Sequence, residues 1–424
     1  MAAPTTYPPE ARSEIPGPRS RALAARLGRV ETQDVTCVNP EPIFWERASG
    51  ANVWDVDGNR FVDLNAAFGV ANTGHAHPRV VAAVQEQAAT LLHGMGDVYP
   101  SEVKVRLLEA LTERFPGAAA ARATLVSSGA DAVETALKTA SLATGRDGIV
   151  AFEGAYHGVS LGTLAVTHAR RFREPFLGRL PQTTSFARYG DMNDVARAAS
   201  SCPTDVGAIL VEPVLGRGGE IPPPRGFLRE LRAFCSERGY LLIADEIYTG
   251  CGRTGKLFAC EHEAVVPDLL CVGKGLTGGM PLSACVGREE VMRAWPTSRG
   301  EALHTQTFLG HPPSCAAALA NLSVIDEEGL PDLAAGLGEE ALMYLRAALG
   351  DHPEVKEVRG LGLMQGIVFA QPERCAEACH GALRRGVIAL PSGPRGEVLS
   401  ITPALNIDRE IFFAALDSIC DSIS

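Results

Sequence analysis

Short apolar runs alternate with amphipathic segments through the middle of the chain. Runs such as "GIVAFEG", "VGAILVEPV", "YLLIADEI" and "DLLCVG" predict strands, whereas "SSGADAVETALKTASLATG" and "PPRGFLRELRAFCSERG" have the apolar period of helices. Strands that alternate with helices form a mostly parallel sheet that is covered on both faces. The pattern therefore predicts an α/β fold, in which ligands bind beyond the carboxyl ends of the strands.

The two ends of the chain have a different pattern. Two alternating runs in "NVWDVDGNRFVDLN" flank an Asp57-Gly58 turn and predict a β-hairpin, and "RVVAAVQEQAATLLHG" predicts a helix that ends at a glycine. Beyond about residue 320, a long helical stretch, the run "VKEVRGLGLMQGIVFA" and a final helix predict a smaller α+β unit. We expect a flexible arm at 1–20, a segment at 21–75 that contributes to the small domain, a large domain at 76–320, and the rest of the small domain at 321–424.

Composition narrows the class of protein. The net charge of −11 over 424 residues argues against nucleic-acid binding, and no apolar stretch reaches the length of a membrane span. The proline-rich first 21 residues lack the apolar core of a secretory signal. Eleven scattered cysteines, Cys37 among them, indicate reduced thiols of a cytoplasmic protein. We expect no metal site, because Cys375, Cys379 and His380 have the spacing of a packed helix face and no fourth ligand nearby.

Three stretches carry residues that suit chemistry at strand ends. In "SSGADAVETALK" a strand passes directly into a helix, which either makes an anion site or is a simple turn with Ser128 as N-cap. In "IADEI", Asp245 is either a buried partner for a cation or a helix cap. In "CVGKGLTGG", Lys274 is flanked by glycines and could be a phosphate ligand, a nucleophilic amine or a loop lysine. A nucleotide-binding P-loop is disfavoured because its first glycine is absent.

Two further residues are uninformative alone but matter together with these. Tyr156 in "GAYHG" could stack on a planar ring or be a packed surface aromatic, and Thr307 in "HTQTFLGHP" offers a hydroxyl before a helix. One ligand would use all four features: a phosphate-binding turn, an aromatic ring for stacking, a strand-end carboxylate and a glycine-flanked lysine. The combination predicts pyridoxal 5′-phosphate as the cofactor.

At this level of detail the sequence resembles the class III aminotransferases, which have the fold type I of pyridoxal-phosphate enzymes. The resemblance runs from about Pro16 to the last helix and is strongest in "LLIADEIYTGCGRTGKLFACEHEAVVPDLLCVGKGLTGGMPLSA", while "GHAHP", "AYHG", "VEP" and "TFLGHP" match further landmarks in order. It implies a large domain with a mostly parallel sheet, a smaller α+β domain, and transfer of an amino group from a small-molecule donor to a keto or aldehyde acceptor. Racemases, epimerases and aminomutases share the pattern, and a non-catalytic cofactor-binding protein is the alternative from another class.

The resemblance also implies roles for individual residues. Lys274 would bond covalently to the cofactor aldehyde and move the substrate proton, and Asp245 would keep the ring nitrogen charged. Thr307 would reach the cofactor phosphate of a neighbouring subunit, so a homodimer with shared sites is expected. The remaining cofactor contacts would be Ser128, the backbone N–H groups of Gly129 and Ala130, Tyr156 and Ile247 on the two ring faces, Glu212 of "VEP", and Tyr248.

Three positions depart from the family pattern, and a fourth is expected in the substrate pocket. Tyr248 stands where many members have glutamine, and Ser400 in "VLSITPAL" stands where an arginine grips an α-carboxylate. Arg217 in "VEPVLGRGG" replaces the glutamate that masks this arginine in several members. We hypothesise that Arg217 binds a substrate carboxylate or another acidic group; the alternative is an ion pair with a surface acid. Phe68 is expected to line the pocket, with a core position as the alternative.

Overall fold

The computed structural model describes residues 6–36 and 42–423. Within these residues the strands form one seven-stranded sheet and two four-stranded sheets. The strands are β1 (Trp45–Ser49), β2 (Asn52–Asp55), β3 (Arg60–Asp63), β4 (Ala121–Val126), β5 (Gly148–Phe152), β6 (Thr184–Ala187), β7 (Val206–Val211), β8 (Leu241–Asp245), β9 (Leu269–Val272), β10 (Ser283–Arg288), β11 (Val355–Leu361), β12 (Met364–Phe369), β13 (Val387–Ile388), β14 (Leu390–Ser392) and β15 (Val398–Ile401).

Helices cover both faces of the large sheet and pack on the smaller ones. The α-helices are α1 (Pro18–Leu27), α2 (Ala66–Gly69), α3 (Pro78–Thr90), α4 (Glu102–Glu113), α5 (Gly129–Thr144), α6 (Leu161–Val166), α7 (Arg170–Arg173), α8 (Met192–Ser200), α9 (Phe227–Arg238), α10 (Glu289–Met292), α11 (Pro312–Glu327), α12 (Leu330–Leu349), α13 (Pro372–Arg384) and α14 (Arg409–Ile423). Short 3₁₀ turns follow several strands, including one at Lys274–Leu276.

The seven-stranded sheet has the order β4-β10-β9-β8-β7-β5-β6. Pairs from β9 through β6 are parallel, and β10 runs antiparallel to both β9 and β4. The predicted α/β fold with a mostly parallel sheet is confirmed. Because β4 runs in the same direction as β9, the carboxyl ends of β4, β5, β7, β8 and β9 meet at one edge.

Helix α5 follows β4 directly and shows how the sequence sets this edge. Ser128 caps the helix by accepting the N–H of Asp131 (3.2 Å), and Gly145 ends it in the left-handed conformation. Small and β-branched residues at helical spacing, Val133 and Ala136 among them, are fully buried against the sheet. This close packing fixes the amino end of α5 beside the ends of the neighbouring strands.

The two ends of the chain share a sheet. Strand β13 runs parallel to β3, with Val387 opposite Val62, and extends the sheet of the predicted hairpin, while β11, β12, β15 and β14 form a separate antiparallel sheet. The division into domains remains a prediction. Of the arm predicted at 1–20, residues 1–5 lie outside the described residues, and farther along the arm the Tyr7 N–H donates to Asn52 Oδ1 of the hairpin (2.6 Å).

Two helix boundaries differ from the prediction. The long helical stretch beyond residue 311 is two helices, because Gly329 has a φ of 60° and separates α11 from α12. Helix α3 ends at Thr90 rather than at Gly94. The helical pattern alone does not mark these boundaries.

The described residues include no helix that is long and apolar enough to cross a membrane. In the same residues no cluster of three or more metal-binding side chains occurs. Eight of the ten described cysteines are buried, including Cys375 and Cys379, and Cys37 lies outside the described residues.

Candidate active site

A cavity of about 240 Å³ opens at the carboxyl edge of the large sheet. It collects residues from the ends of five strands that are distant in sequence. The lining residues are Gly129, Ala130, Tyr156, His157, Gly158, Val159, Glu212, Arg217, Asp245, Ile247, Tyr248 and Lys274. Eight predicted cofactor residues and Arg217 are therefore brought together around one space, and His157 joins them without having been assigned a role.

Lys274 stands at the end of β9 with its amine against an aromatic ring. The chain turns sharply there, since Lys274 has a φ of 43°, and its Nζ lies 4.2 Å from the ring centroid of Tyr248. Burial lowers the pKa of Lys274, and the positive charge of Arg217 lowers it further, against the opposing effect of Asp245 and Glu212. The amine is therefore closer to its neutral, nucleophilic form than a surface lysine is.

Asp245 is held by a buried histidine. His157 Nδ1–H donates to Asp245 Oδ2 (2.7 Å), and the Ile247 N–H donates to Oδ1 (3.1 Å). Both side chains are almost fully buried, and His157 Nε2 has no hydrogen-bond partner among the described residues. The carboxylate is thus fixed in orientation at the cavity wall. In "GAYHG" the tyrosine was predicted as a site residue from its aromatic ring, whereas no local pattern marks the adjacent His157.

Glu212, predicted as a cofactor contact, joins two loops that border the cavity. Its carboxylate accepts the N–H of Tyr156 (2.8 Å) and the N–H of Gly216 (3.0 Å). Burial raises the pKa of Glu212, while the two backbone N–H groups and His157 oppose this effect. Glu212 therefore positions the backbone of Tyr156 at the cavity.

The start of α5 forms one end of the cavity. The N–H groups of Gly129 and Ala130 belong to the first helical turn, where no carbonyl within the helix can accept them. A Cβ at Gly129 would lie 3.0 Å from Ile247 Cγ2, so glycine permits the close approach. Ser128 is exposed and its hydroxyl is used in the cap, as the simpler of the two interpretations predicts.

Arg217 lies at the mouth of the cavity and is exposed. Its guanidinium carbon is 4.9 Å from the ring centroid of Tyr156 and 5.5 Å from that of Phe172. Among residues 6–36 and 42–423 no carboxylate lies within 4.0 Å of the guanidinium, so the alternative of a surface ion pair does not occur there.

Three other predicted site residues lie outside the cavity of their own chain. Phe68 is 62 % exposed and is therefore not in the core; it belongs to a left-handed turn in which Gly69 packs so tightly that a Cβ would lie 2.5 Å from Tyr248 Cε2. Thr307 is exposed. Ser400 is 4 % exposed and donates its hydroxyl to Glu220 Oε1 (2.7 Å).

The residues around the cavity suit pyridoxal 5′-phosphate. The N–H groups at the start of α5 can donate to a phosphate, and the oriented Asp245 carboxylate can face a protonated ring nitrogen. Tyr156 and Ile247 offer an aromatic and an aliphatic surface for a planar ring, and Lys274 offers an amine for the aldehyde.

Comparisons with known proteins also indicate an enzyme that uses pyridoxal 5′-phosphate. The family model "Aminotransferase class-III" matches residues 35–423. The chain is 40% identical over 382 residues to the acetylornithine aminotransferase of Methanopyrus kandleri, with 90% of this chain and 94% of that protein covered. It is 38% identical over 411 residues to the 4-aminobutyrate aminotransferase GabT of Escherichia coli, covering 92% and 93%.

Among solved structures, the ornithine aminotransferase of Toxoplasma gondii superposes with a TM-score of 0.87 at 30% identity, covering 95% of this chain and 94% of that one. That crystal structure is described with pyridoxal phosphate at partial occupancy in the active site. The family match extends over nearly the whole chain, and the cavity carries the side chains that the cofactor requires. The chain therefore belongs to the class III aminotransferases, enzymes that use pyridoxal 5′-phosphate to transfer amino groups.

Proposed function

We propose that this enzyme moves an amino group from an amine or amino-acid donor to a keto or aldehyde acceptor in a biosynthetic pathway, as a cytoplasmic homodimer. The observation that carries the proposal is the placement of the Lys274 amine in the same cavity as the Asp245–His157 pair. The relatives are named for acetylornithine and 4-aminobutyrate, and this chain would act on small molecules of the same general kind.

Each residue has a proposed task. The bound cofactor supplies an electron-withdrawing ring that weakens the bonds at the substrate carbon. Asp245, oriented by His157, keeps the ring nitrogen protonated, and the Lys274 amine takes the proton from the substrate carbon and returns it. The N–H groups of Gly129 and Ala130, with Ser128 at the helix cap, bind the phosphate. Tyr156 and Ile247 hold the ring faces, Tyr248 borders the ring's oxygen, and Glu212 keeps Tyr156 in place.

The homodimer is supported by two predicted site residues that face solvent. Thr307, expected at a neighbouring subunit's cofactor, and Phe68, expected in the substrate pocket, are both exposed and outside the cavity of their own chain, which suits sites shared between subunits. Large apolar side chains are also exposed on the segments near Thr307 and after α3, including Leu92, Tyr99 and Phe308. The buried thiols agree with a reducing compartment such as the cytoplasm.

A donor screen tests the function. Purified holoenzyme is mixed with single amino donors, and the loss of the cofactor's visible absorbance is followed together with the keto product. We expect at least one donor to bleach the absorbance and to yield keto product in stoichiometric amount. A donor that is racemised without keto product would instead indicate a racemase, and a coloured protein that is inert with every amine would indicate a binding protein.

Arg217 is proposed to bind an acidic group of the substrate. Charge-assisted hydrogen bonds of a guanidinium to a carboxylate are among the stronger polar contacts, so Arg217→Ala should raise KM for carboxylated donors by about tenfold or more. Donors without an acidic group should be unaffected. Arg171→Ala is the matched control, because Arg171 contacts the same Phe172 ring but does not line the cavity. An unchanged KM for every carboxylated donor contradicts this role.

A further inference from the structure

A buried carboxyl group lies behind the wall of the cavity. Glu220 is 1 % exposed and accepts hydrogen bonds from the hydroxyls of Ser392 (2.6 Å) and Ser400 (2.7 Å). In the described part of the chain no cationic side chain lies within 4.0 Å of its carboxylate. The nearby guanidinium of Arg359 donates instead to the Gly219 carbonyl (2.9 and 2.7 Å). Glu220 is thus a potential buried negative charge with hydroxyl partners only.

The hydroxyl of Ser400 links this carboxyl group to the cavity. Tyr248 lies close to this residue, since its hydroxyl is 3.1 Å from Oγ1 of Thr402, which is two residues beyond Ser400. Burial raises the pKa of Tyr248, and the negative charge of Glu220 raises it further. The Lys274 amine lies 4.2 Å from the centroid of the Tyr248 ring, so the side chain whose pKa Glu220 raises also borders the reacting amine.

The arrangement is unfavourable for stability. Glu220 has a φ of 49°, which is strained for a residue with a Cβ, and its carboxyl group is buried without a cation. Burial raises the pKa of Glu220 to about 7, with the two serine hydroxyls and Arg359 opposing the shift and Glu212 adding to it. Arg359 on β11, Glu212 after β7 and Tyr248 after β8 are the charged or titratable groups that face it. Such strain beside a site indicates a functional role.

We propose that Glu220 is a specificity-determining residue that, through Ser400 and Tyr248, makes the inner wall of the cavity negative and disfavours substrates with a carboxylate on the carbon that carries the reacting amine. The preferred substrates are then primary amines, and the matching aldehydes, whose reacting carbon bears no carboxylate. An acidic group at the opposite end of such a substrate would meet Arg217 at the mouth. This inference rests on the proposed aminotransferase function.

The test compares two amines that differ only by one carboxylate, n-propylamine and L-2-aminobutyrate. The single-turnover rate of cofactor bleaching is measured for each with wild-type holoenzyme, Glu220→Gln, and the control Glu357→Gln, which removes an exposed charge that pairs with Arg359. At pH 8 we expect wild type to favour propylamine, and Glu220→Gln to reduce this preference on the order of tenfold through loss of the charge. The control should leave the preference unchanged.

The pH dependence provides a second arm. Lowering the pH from 8 to 6 protonates Glu220 and should reduce the preference of the wild-type enzyme for propylamine. The two substrates also change their own ionisation over this pH range, and this effect is the same for both proteins. In Glu220→Gln the preference for propylamine should change by this substrate effect alone. If Glu220→Gln keeps the wild-type preference at pH 8, the proposal is overturned. Should Glu220→Gln fail to fold, Ser400→Ala, which cuts the link to Tyr248, must shift the preference in the same direction.

Thermal unfolding of the holoenzymes gives a readout that does not depend on turnover. A carboxyl group whose pKa is raised on folding loses stabilisation as the pH rises through its folded pKa. The Tm advantage of Glu220→Gln over wild type should therefore be larger at pH 8 than at pH 5, and a constant difference contradicts the buried-charge premise. Failure of the proposed function is distinguishable, because no amine would then bleach wild type at all.

Discussion

Lys274→Ala is expected to lower kcat by about 10⁴-fold, the upper range of general acid–base catalysis, because the variant lacks the amine that is proposed both to bond the cofactor and to move the substrate proton. Within residues 6–36 and 42–423, Lys274 is the one lysine that lines the cavity, and burial lowers its pKa. Steady-state kinetics with the best donor of the screen measures the loss. Lys274→Arg should be equally inactive, since a guanidinium stays protonated and cannot accept the proton.

Borohydride reduction provides a direct check of the covalent bond. After reduction of the wild-type holoenzyme, peptide mapping should find a pyridoxyl group on Lys274 and on no other residue. The matched control is Lys256→Ala, which removes an exposed lysine after the neighbouring strand β8 and should keep full activity and labelling. A pyridoxyl group on another residue, or activity of Lys274→Ala near that of wild type, would contradict the assignment.

Asp245→Asn is expected to lower kcat by about 10²- to 10³-fold, a loss typical for removing one preorganised electrostatic contact in an active site. The amide keeps the shape of the side chain but not the negative charge that holds the ring nitrogen protonated. Kinetics and the absorbance spectrum of the holoenzyme measure the effect. Retention of activity within a few-fold of wild type contradicts the role of the charge.

His157→Asn separates orientation from charge. The variant removes the Nδ1–H that donates to Asp245 Oδ2 at 2.7 Å, while the carboxylate itself remains. We expect a smaller loss than for Asp245→Asn, about tenfold in kcat, as for the deletion of a hydrogen bond to a charged group. An effect larger than that of Asp245→Asn would mean that His157 contacts the reacting groups itself.

The sequence predicted the cavity because the fold class determines where strand ends meet. Asp245 ends β8, Lys274 follows the adjacent parallel strand β9, and the small residues Gly129 and Ala130 follow β4, so the alternation of strands and helices was sufficient to bring them to one edge. The polarity of each side chain then indicated its chemistry. These predictions depended on local sequence patterns, which are visible in one sequence without knowledge of its tertiary contacts.

Other features depend on contacts between distant segments and could not be predicted. His157 meets Asp245 across 88 positions, and Ser400 meets Glu220 across 180. In "GRGGE" nothing distinguishes Glu220 from a surface acid, because its burial results from β14 and β15 closing over it. The antiparallel insertion of β10 between β4 and β9 is likewise a matter of topology rather than of local pattern.

The pairing of β3 with β13 has a consequence for biosynthesis on the ribosome. Val62 and Val387 are opposite each other in the same sheet, so the sheet of the hairpin lacks its fourth strand until residue 388 has emerged. The large sheet, whose last strand is complete at Arg288, can form earlier. Docking of β13 therefore completes this sheet, and chains that stop before it would expose the open edge of β3 to other nascent proteins.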